Sequence, residues 1–333
     1  MSRSAQWWIV GALAAALALV TSCMVHMPGR SFEGALPAVS DDERALAAAL
    51  RAHVEHLAGA IGERNASRPG GLALARDYVA GQLGAAGLAV RAQRFDAHGV
   101  AVENLITEVR GTAQPDEIVV VGAHYASAEG CPAANDNASG VAALLELARG
   151  FAREPWARTL RFVAFVDEEP PHFQTPTMGS LVYAKACRAS GDRVVAMLSL
   201  ETMGYFDDRD GSQEYPFPFG LFYPGTGNFI AFVGNVSSRA HVARATEVFR
   251  ETTAFPAEGA ALPGSVPGVG WSDHWAFWEA GYPGVMVTDT APFRYPHYHR
   301  ATDTPERVDH MRLARVVGGV REVIRDLARG GAG

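Results

Sequence analysis

The sequence predicts an α/β domain with helices on both sides of a mostly parallel sheet, and three stretches carry that expectation. Ile118 to Val121 is a short, apolar, β-branched run of the kind that forms a strand buried on both faces, and it ends in Gly122-Ala123-His124. Thr159 to Val166 is a second such run, ending in Asp167-Glu168-Glu169, and Val194 to Leu200 is a third, ending in Glu201. Between the first two, Asp136-Asn137-Ala138-Ser139-Gly140 opens an Ala/Leu-rich helix from Val141 to Phe151. In open α/β sheets the crevice at the carboxyl ends of the strands is where ligands bind. Here those ends carry imidazole and carboxylate groups.

The remaining elements follow in order. Ser40 is a plausible N-cap, with Asp41, Asp42 and Glu43 in the first turn of a helix running to about Ala60. Gly70 to Ala86 reads as a second helix closed by Gly87, with Leu72, Tyr78, Val79 and Leu83 on its buried side. Leu88 to Phe95 and Val102 to Val109 read as strands, and Arg110 to Glu117 as a turn into the central strand. Met178 to Arg188 is a helix. Asp207 to Gly227, rich in Pro, Gly, Asp and aromatics, reads as an ordered excursion over one face. Asn228 to Val233 returns to the sheet, and His241 to Glu251 is a helix whose His241 suits the surface better than a metal. Glu258 to Gly270 reads as a Gly/Pro loop walling the crevice. Gly284 to Val287 is a short strand, and Pro305 to Arg329 a long amphipathic helix. With no internal repeat and no linker, residues 40–333 are expected to form one domain.

Composition narrows the function classes. The chain has 333 residues, 48% hydrophobic and 20% charged, enough to bury a sizeable core. A formal net charge of −7 without a basic stripe argues against nucleic acid as a partner. Residues 1–22 resemble a lipoprotein-type signal peptide: Arg3 is positive, Trp7 to Val20 is apolar but short of a spanning helix, and Val20-Thr21-Ser22-Cys23 resembles a lipobox. Acylation of Cys23 would make residues 23–39 a tether to a membrane, facing the periplasm or cell exterior; the alternatives are an uncleaved amino-terminal anchor or an ordinary signal peptide with an incidental cysteine. Cys131 and Cys187 remain; an export compartment permits a disulfide between them, and two unpaired thiols are the alternative.

The strand ends assemble His124, Asp136, Glu168, Glu169, Glu201 and a late histidine, His297 or His299. So many carboxylates with few imidazoles suit two divalent ions about 3.5–4 Å apart, one carboxylate bridging them. The adjacent acids at 168–169 could instead cap the Met178–Arg188 helix, but prolines at 170, 171 and 176 disfavour an ordinary helix start. No CxxC, HExxH or GxSxG motif is present. Ser272-Asp273-His274 is not a hydrolytic triad, because three consecutive residues cannot supply its geometry. Ser272 is expected to cap the following helix, with Asp273 and His274 supporting the site or core.

Taken together, GAHY at 122–125, ANDNASGVAALLELA at 134–148, DEE at 167–169, the strand ending in Glu201, SDH at 272–274, GYPGVM at 281–286 and HYHRATDT at 297–304 resemble the zinc metallopeptidase family of bacterial leucyl aminopeptidases, glutamate carboxypeptidases and glutaminyl cyclases. The resemblance spans nearly all of residues 40–330. It implies a three-layer αβα fold with a mixed sheet of about eight strands, two Zn2+ ions and a peptide or aminoacyl substrate; no partner protein is inferred. By position, Asp136 resembles the bridging carboxylate, Glu169 and His299 the other ligands of one zinc, and His124 and Glu201 those of the second. His299 is selected over His297 because the family places its histidine before xxxDT. Glu168 resembles the general base, and an aminopeptidase is the leading activity, with a carboxypeptidase, a single-zinc glutaminyl cyclase or a non-catalytic binding module as alternatives. Tyr205, Phe222, Trp271 and Tyr295 are candidate pocket walls or core residues.

Two positions depart from the family. Glu201 stands where aspartate is commoner, and its longer arm could move the metal. Ala126 stands where an acid usually orients the first histidine; either another group replaces that acid or the second site is weaker. Losing such a partner typically costs ~10–100-fold in metal affinity or activity.

Overall fold

A computed structural model describes residues 7–8 and 24–330. The lipid-bearing position expected at Cys23, and the signal segment 1–22 apart from Trp7 and Trp8, lie outside the described residues. Among the described residues no helix is long and apolar enough to cross a membrane.

Ser40 caps α1 (Asp41–Val54) in a reciprocal box: its hydroxyl accepts from the Glu43 N–H at 3.1 Å, and the Glu43 carboxylate accepts from the Ser40 N–H at 2.8 Å. The expected helix to Ala60 changes character after Val54, continuing as a wider π-helical turn over Glu55–Ile61. Then come α2 (Pro69–Ala85), β1 (Arg91–Ala97), β2 (Val100–Val109), β3 (Gln114–His124), α3 (Gly140–Phe151), β4 (Arg158–Phe165), α4 (Gly179–Ala189) and β5 (Arg193–Glu201). The chain ends with β6 (Ile230–Asn235), α5 (Arg239–Thr252), β7 (Ala257–Leu262), α6 (His274–Glu279), β8 (Val285–Thr288) and α7 (His310–Arg329).

The eight strands form one sheet in the order β1-β2-β4-β3-β5-β8-β6-β7. Its centre, β4-β3-β5-β8, is parallel; β1-β2, β2-β4 and β6-β8 are antiparallel, and β6-β7 is parallel. Alternate residues of β3 feed two cores. Val119 and Val121 join the larger one with Leu50, Val79, Leu144 and Val316, whereas Ile118 and Val120 join Val163, Tyr183 and Phe277 on the opposite face. That two-sided burial gives the three-layer αβα, mixed-sheet architecture the sequence predicts.

Two local expectations are corrected. The presumed turn at 110–117 is half strand: β3 begins at Gln114, with an irregularity before Ile118 where Pro115 interrupts regular pairing. The presumed loop at 258–270 begins as β7, which pairs along β6 from Ile230↔Ala257 to Asn235↔Leu262. Cys131 and Cys187 are separate buried thiols in different apolar clusters.

Candidate metal centre

The parallel strands deliver their terminal residues to one edge. His124 closes β3 opposite Phe165 of β4, the acids at 167–169 follow β4, and Glu201 closes β5 opposite Thr288 of β8. Asp136 arrives from the turn before α3. Gly140 begins that helix so close to the end of β5 that any Cβ there would collide with the Leu200 carbonyl and the Asn137 side chain.

The turn bearing Asp136 is fixed by several side chains. Asn137 donates to the Leu200 carbonyl at 2.8 Å, and its own carbonyl oxygen accepts from the Gly140 and Thr202 N–H groups. Asn135 accepts from the Gly204 N–H and donates to Asp289. The Asp303 carboxylate accepts the N–H groups of Asn135 and Asp136 at 2.9 and 3.1 Å, with the Tyr295 hydroxyl donating to it at 2.6 Å. Arg64, wholly buried, donates to the carbonyls of Gly62, Tyr125, Pro132 and Ala133, tying down the loop between His124 and Asp136. Burial pushes its pKa down to about 10, against the pull of Asp303, Asp136 and Glu169.

All six residues singled out from the sequence converge. His124 Nε2 lies 3.1 Å from Glu201 Oε2, 3.4 Å from Asp136 Oδ1 and 3.8 Å from Glu168 Oε2. His299 Nε2 lies 3.1 Å from Asp136 Oδ2 and 3.0 Å from Glu169 Oε2. One oxygen of Asp136 therefore faces the His124–Glu201 side and the other faces His299 and Glu169. The competing histidine, His297, turns away and pairs with the Thr302 hydroxyl at 2.8 Å. His241 likewise meets the Val195 carbonyl, away from the cluster.

Four buried carboxylates thus share a space with two imidazoles. Burial opposes charge on His124, but Glu201, Glu168 and Asp136 hold its pKa well above the ordinary imidazole value. Against burial, Asp136 and Glu169 raise His299 to about 11. Burial raises Glu168, Glu169 (to about 7) and Glu201, while Asp136, despite burial, is lowered by its two imidazole partners. Glu169 Oε1 is buried with no hydrogen-bond partner. The donor set fits a divalent cation: the ligand atoms of His124, Asp136 and Glu169 lie within 4.8 Å of one another, nitrogen and oxygen donors suit zinc, and a cation would supply the partner Glu169 lacks.

Residues that the sequence left in other roles also serve the site. Ser272 is not a helix cap; Asp273 occupies that position, without a side-chain cap bond. Instead the Ser272 hydroxyl donates to Glu201 Oε2 at 2.7 Å and lies 2.9 Å from the Ser199 hydroxyl. The acids at 167–169 do not cap α4, whose cap position is Met178 and has no side-chain cap bond.

Beyond Glu201 lies a predominantly apolar cavity of about 100 Å³. The 258–270 segment forms one wall, and Tyr215, Phe219, Phe229, Trp271 and Phe293 supply aromatic surface. Of the four wall candidates only Trp271 lines it. Tyr205 and Tyr295 pack on each other with ring centroids 4.7 Å apart, and Phe222 faces a different hollow beside His26 and Met27.

The αβα fold with this carboxylate–imidazole edge defines a zinc-dependent hydrolase of the metallopeptidase class. The model of peptidase family M28 matches residues 104–324, and the chain belongs to that family. It is 34% identical over 281 residues to a protein of Escherichia coli K12, "Uncharacterized protein YfbL", covering 81% of this chain and 85% of that one. A "probable zinc metalloprotease" of Leptosphaeria maculans is 27% identical over 228 residues, 60% of this chain but only 49% of the fungal protein. Among solved structures, the fold is similar to BSAP, a zinc aminopeptidase from Bacillus subtilis (TM-score 0.69, 16% identity, 90% of this chain and 98% of that one). It is also similar to Fimbriiglobus ruber glutaminyl cyclase (TM-score 0.61, 20% identity, 90% and 99%).

Proposed function

We propose that the chain is an exported, membrane-tethered aminopeptidase that works with two zinc ions and removes amino-terminal residues from peptides. The observation that carries this reading is the division of Asp136 between two half-sites. His124 and Glu201 would complete one, and Glu169 and His299 the other. When bound, zinc supplies Lewis-acid polarisation of a carbonyl and a water acidic enough to attack at neutral pH.

The chain's own groups do the rest. Glu168 takes a proton from the attacking water and returns it to the leaving amine. Its Oε2 stands 3.8 Å from His124 Nε2, beyond hydrogen-bond reach and farther than the Asp136 and Glu201 oxygens, so it is the most loosely paired of the three carboxylates facing that ring. Burial and the neighbouring Glu169, Glu201 and Asp273, opposed by His124, raise its pKa in the direction that lets it keep a proton between uptake and delivery. The aromatic and apolar walls of this cavity suit an apolar side chain at the residue removed. A lipid on Cys23 would hold the domain at a membrane.

The test pairs metal analysis of the purified chain with a panel of leucyl and phenylalanyl peptides, free or acetylated at the amino terminus, and a peptide beginning with glutamine. Two zincs per chain and cleavage of free peptides alone support the proposal. One zinc with cyclisation of the glutamine peptide points to a cyclase, and cleavage from the other end to a carboxypeptidase. Replacing Cys23→Ser should release the protein from the membrane fraction or leave it unprocessed.

A further inference from the structure

The excursion between β5 and β6 carries the run Tyr215-Pro216-Phe217-Pro218-Phe219-Gly220-Leu221-Phe222-Tyr223. It is a built hook. The Asp207 N–H donates to the Gly227 carbonyl at 2.8 Å, the Gln213 N–H to the Gly225 carbonyl at 3.1 Å, and the Tyr215 hydroxyl to the Pro224 carbonyl at 2.7 Å. Its inner side is satisfied: Phe219 and Tyr223 pack on the apolar cluster of Val25, Leu262 and Val269. Its outer side is not. Phe217 is 91% exposed, Leu221 78% and Phe222 44%.

Burying each such side chain is favourable, and leaving it in water forgoes that gain. Three held out together on an ordered hook mark an interaction surface, where a single exposed one would not. Prolines at 216 and 218 deny the hook the N–H groups an added peptide strand would pair with. The emerging chain indicates the occupant. Met24 packs on the same apolar cluster as Phe219 and Tyr223, and the Tyr223 hydroxyl donates to the Gly259 carbonyl at 2.9 Å while lying 3.5 Å from the Val25 carbonyl. Met24 directly follows Cys23, the expected lipid-bearing residue, in the sequence.

We propose that this surface meets a lipid bilayer, with Phe217, Leu221 and Phe222 entering the acyl boundary beside the lipid on Cys23. The proposal rests on the membrane-tethered part of the proposed function. A lipid alone tethers a domain without orienting it; the hook fixes which face looks at the membrane. Because Tyr215, Phe219 and Tyr223 also wall the cavity that leads to Glu201 and Tyr298, the substrate site would border the lipid surface and take peptides presented there. Asp207, Asp208 and Asp210 flank Arg209 at the base of the hook, so the contact is apolar in origin and needs no anionic lipid.

The experiment uses the full lipidated chain in phosphatidylcholine vesicles whose acyl chains carry a spin-label quencher. An environment-sensitive fluorophore is placed on Leu221→Cys, with Leu74→Cys, 59% exposed on α2, as the control; Cys131 and Cys187 are buried. The expected result is a blue shift and severalfold stronger quenching at 221 than at 74, unchanged by added salt. Vesicle flotation reports the anchor separately. Flotation with equal, weak quenching at both positions overturns the hook and leaves the anchor standing. If the chain does not float, the anchor reading fails, and the same vesicles are added to excess: a blue shift at 221 then supports the hook, and none overturns it. A shift that follows protein concentration instead of lipid assigns the surface to a second copy of the chain and overturns the proposal.

Discussion

His124 donates from Nδ1 to the carbonyl oxygen of Ala126, 3.0 Å away. A carbonyl can only accept, so Nδ1 carries a proton, and Nε2 is the nitrogen turned toward Asp136 and Glu201, free to bind a metal once it gives up its own proton. A backbone oxygen thus does the orienting that the sequence led us to expect from an acid at position 126.

The consequence is testable at Ala126 itself. The residue is 1% exposed and shares a hollow with Asp167 and Glu169. Ala126→Asp should not tighten zinc and should destabilise the fold by about 1–3 kcal/mol, because a new polar group is buried beside two acids. Zinc titration of the metal-free chain and chemical unfolding measure the two effects. Tightening by ~10-fold or more would show that the carbonyl does not hold the ring.

Glu168 and Glu169 are adjacent in sequence but differently placed. Glu169 Oε2 is 3.0 Å from His299, whereas Glu168 keeps 3.8 Å from His124. Glu168→Gln should leave zinc content near wild type and lower turnover by ~10²–10⁴-fold, the range a positioned general base contributes. Glu169→Ala should lose zinc as well as turnover. Metal stoichiometry beside kcat decides it: an emptied Glu168→Gln with a loaded Glu169→Ala reverses the roles, and two active variants would place the chemistry elsewhere.

Ser272 holds the long arm of Glu201. With the 2.7 Å hydroxyl contact removed, Ser272→Ala should lower zinc affinity by ~10–100-fold at the half-site proposed for His124 and Glu201, while the fold stays intact. Competition with a chelator reads this out. An unchanged affinity would mean that His124 alone orients the carboxylate.

The legible part of the site is the part that strands deliver. β3, β4 and β5 are written in buried apolar runs, and the residue that ends such a run is fixed in space by the sheet. Ser272 was obscured because serine before a helix has an ordinary local use, and its partner Glu201 is 71 positions away. Asp303 lies inside the HYHRATDT motif, but nothing there shows its use: like Arg64, it acts on backbone groups of a distant turn. β7 was missed for a local reason: Ala257-Glu258-Gly259-Ala260-Ala261-Leu262 has no β-branched or aromatic residue, and pairing with β6 overrides its weak propensity.

His274 gives a pH-dependent stability of known sign. It is fully buried, its Nε2–H donates to the Val269 carbonyl at 2.7 Å, and the Trp278 ring stands edge-on at 4.6 Å. Burial, only partly offset by backbone carbonyl contacts, lowers its pKa to about 4. Below pH ~6.5 the unfolded chain takes up a proton that the folded chain refuses until about 4, so stability falls as pH falls through that window. At about 1.4 kcal/mol per unit, the loss approaches 3 kcal/mol. Other buried groups titrate in the same range, since Asp273 and Asp289 are raised by burial to about 6 and about 7 and shift stability the opposite way. Subtracting a variant isolates His274. His274→Gln keeps an amide donor and cannot be charged. It should be less stable than wild type near pH 7.5, and the gap should narrow steadily between pH 6.5 and 4. Urea unfolding of both proteins across that range measures it. A gap that stays constant with pH would show that His274 is protonated as readily in the folded chain as in the unfolded one.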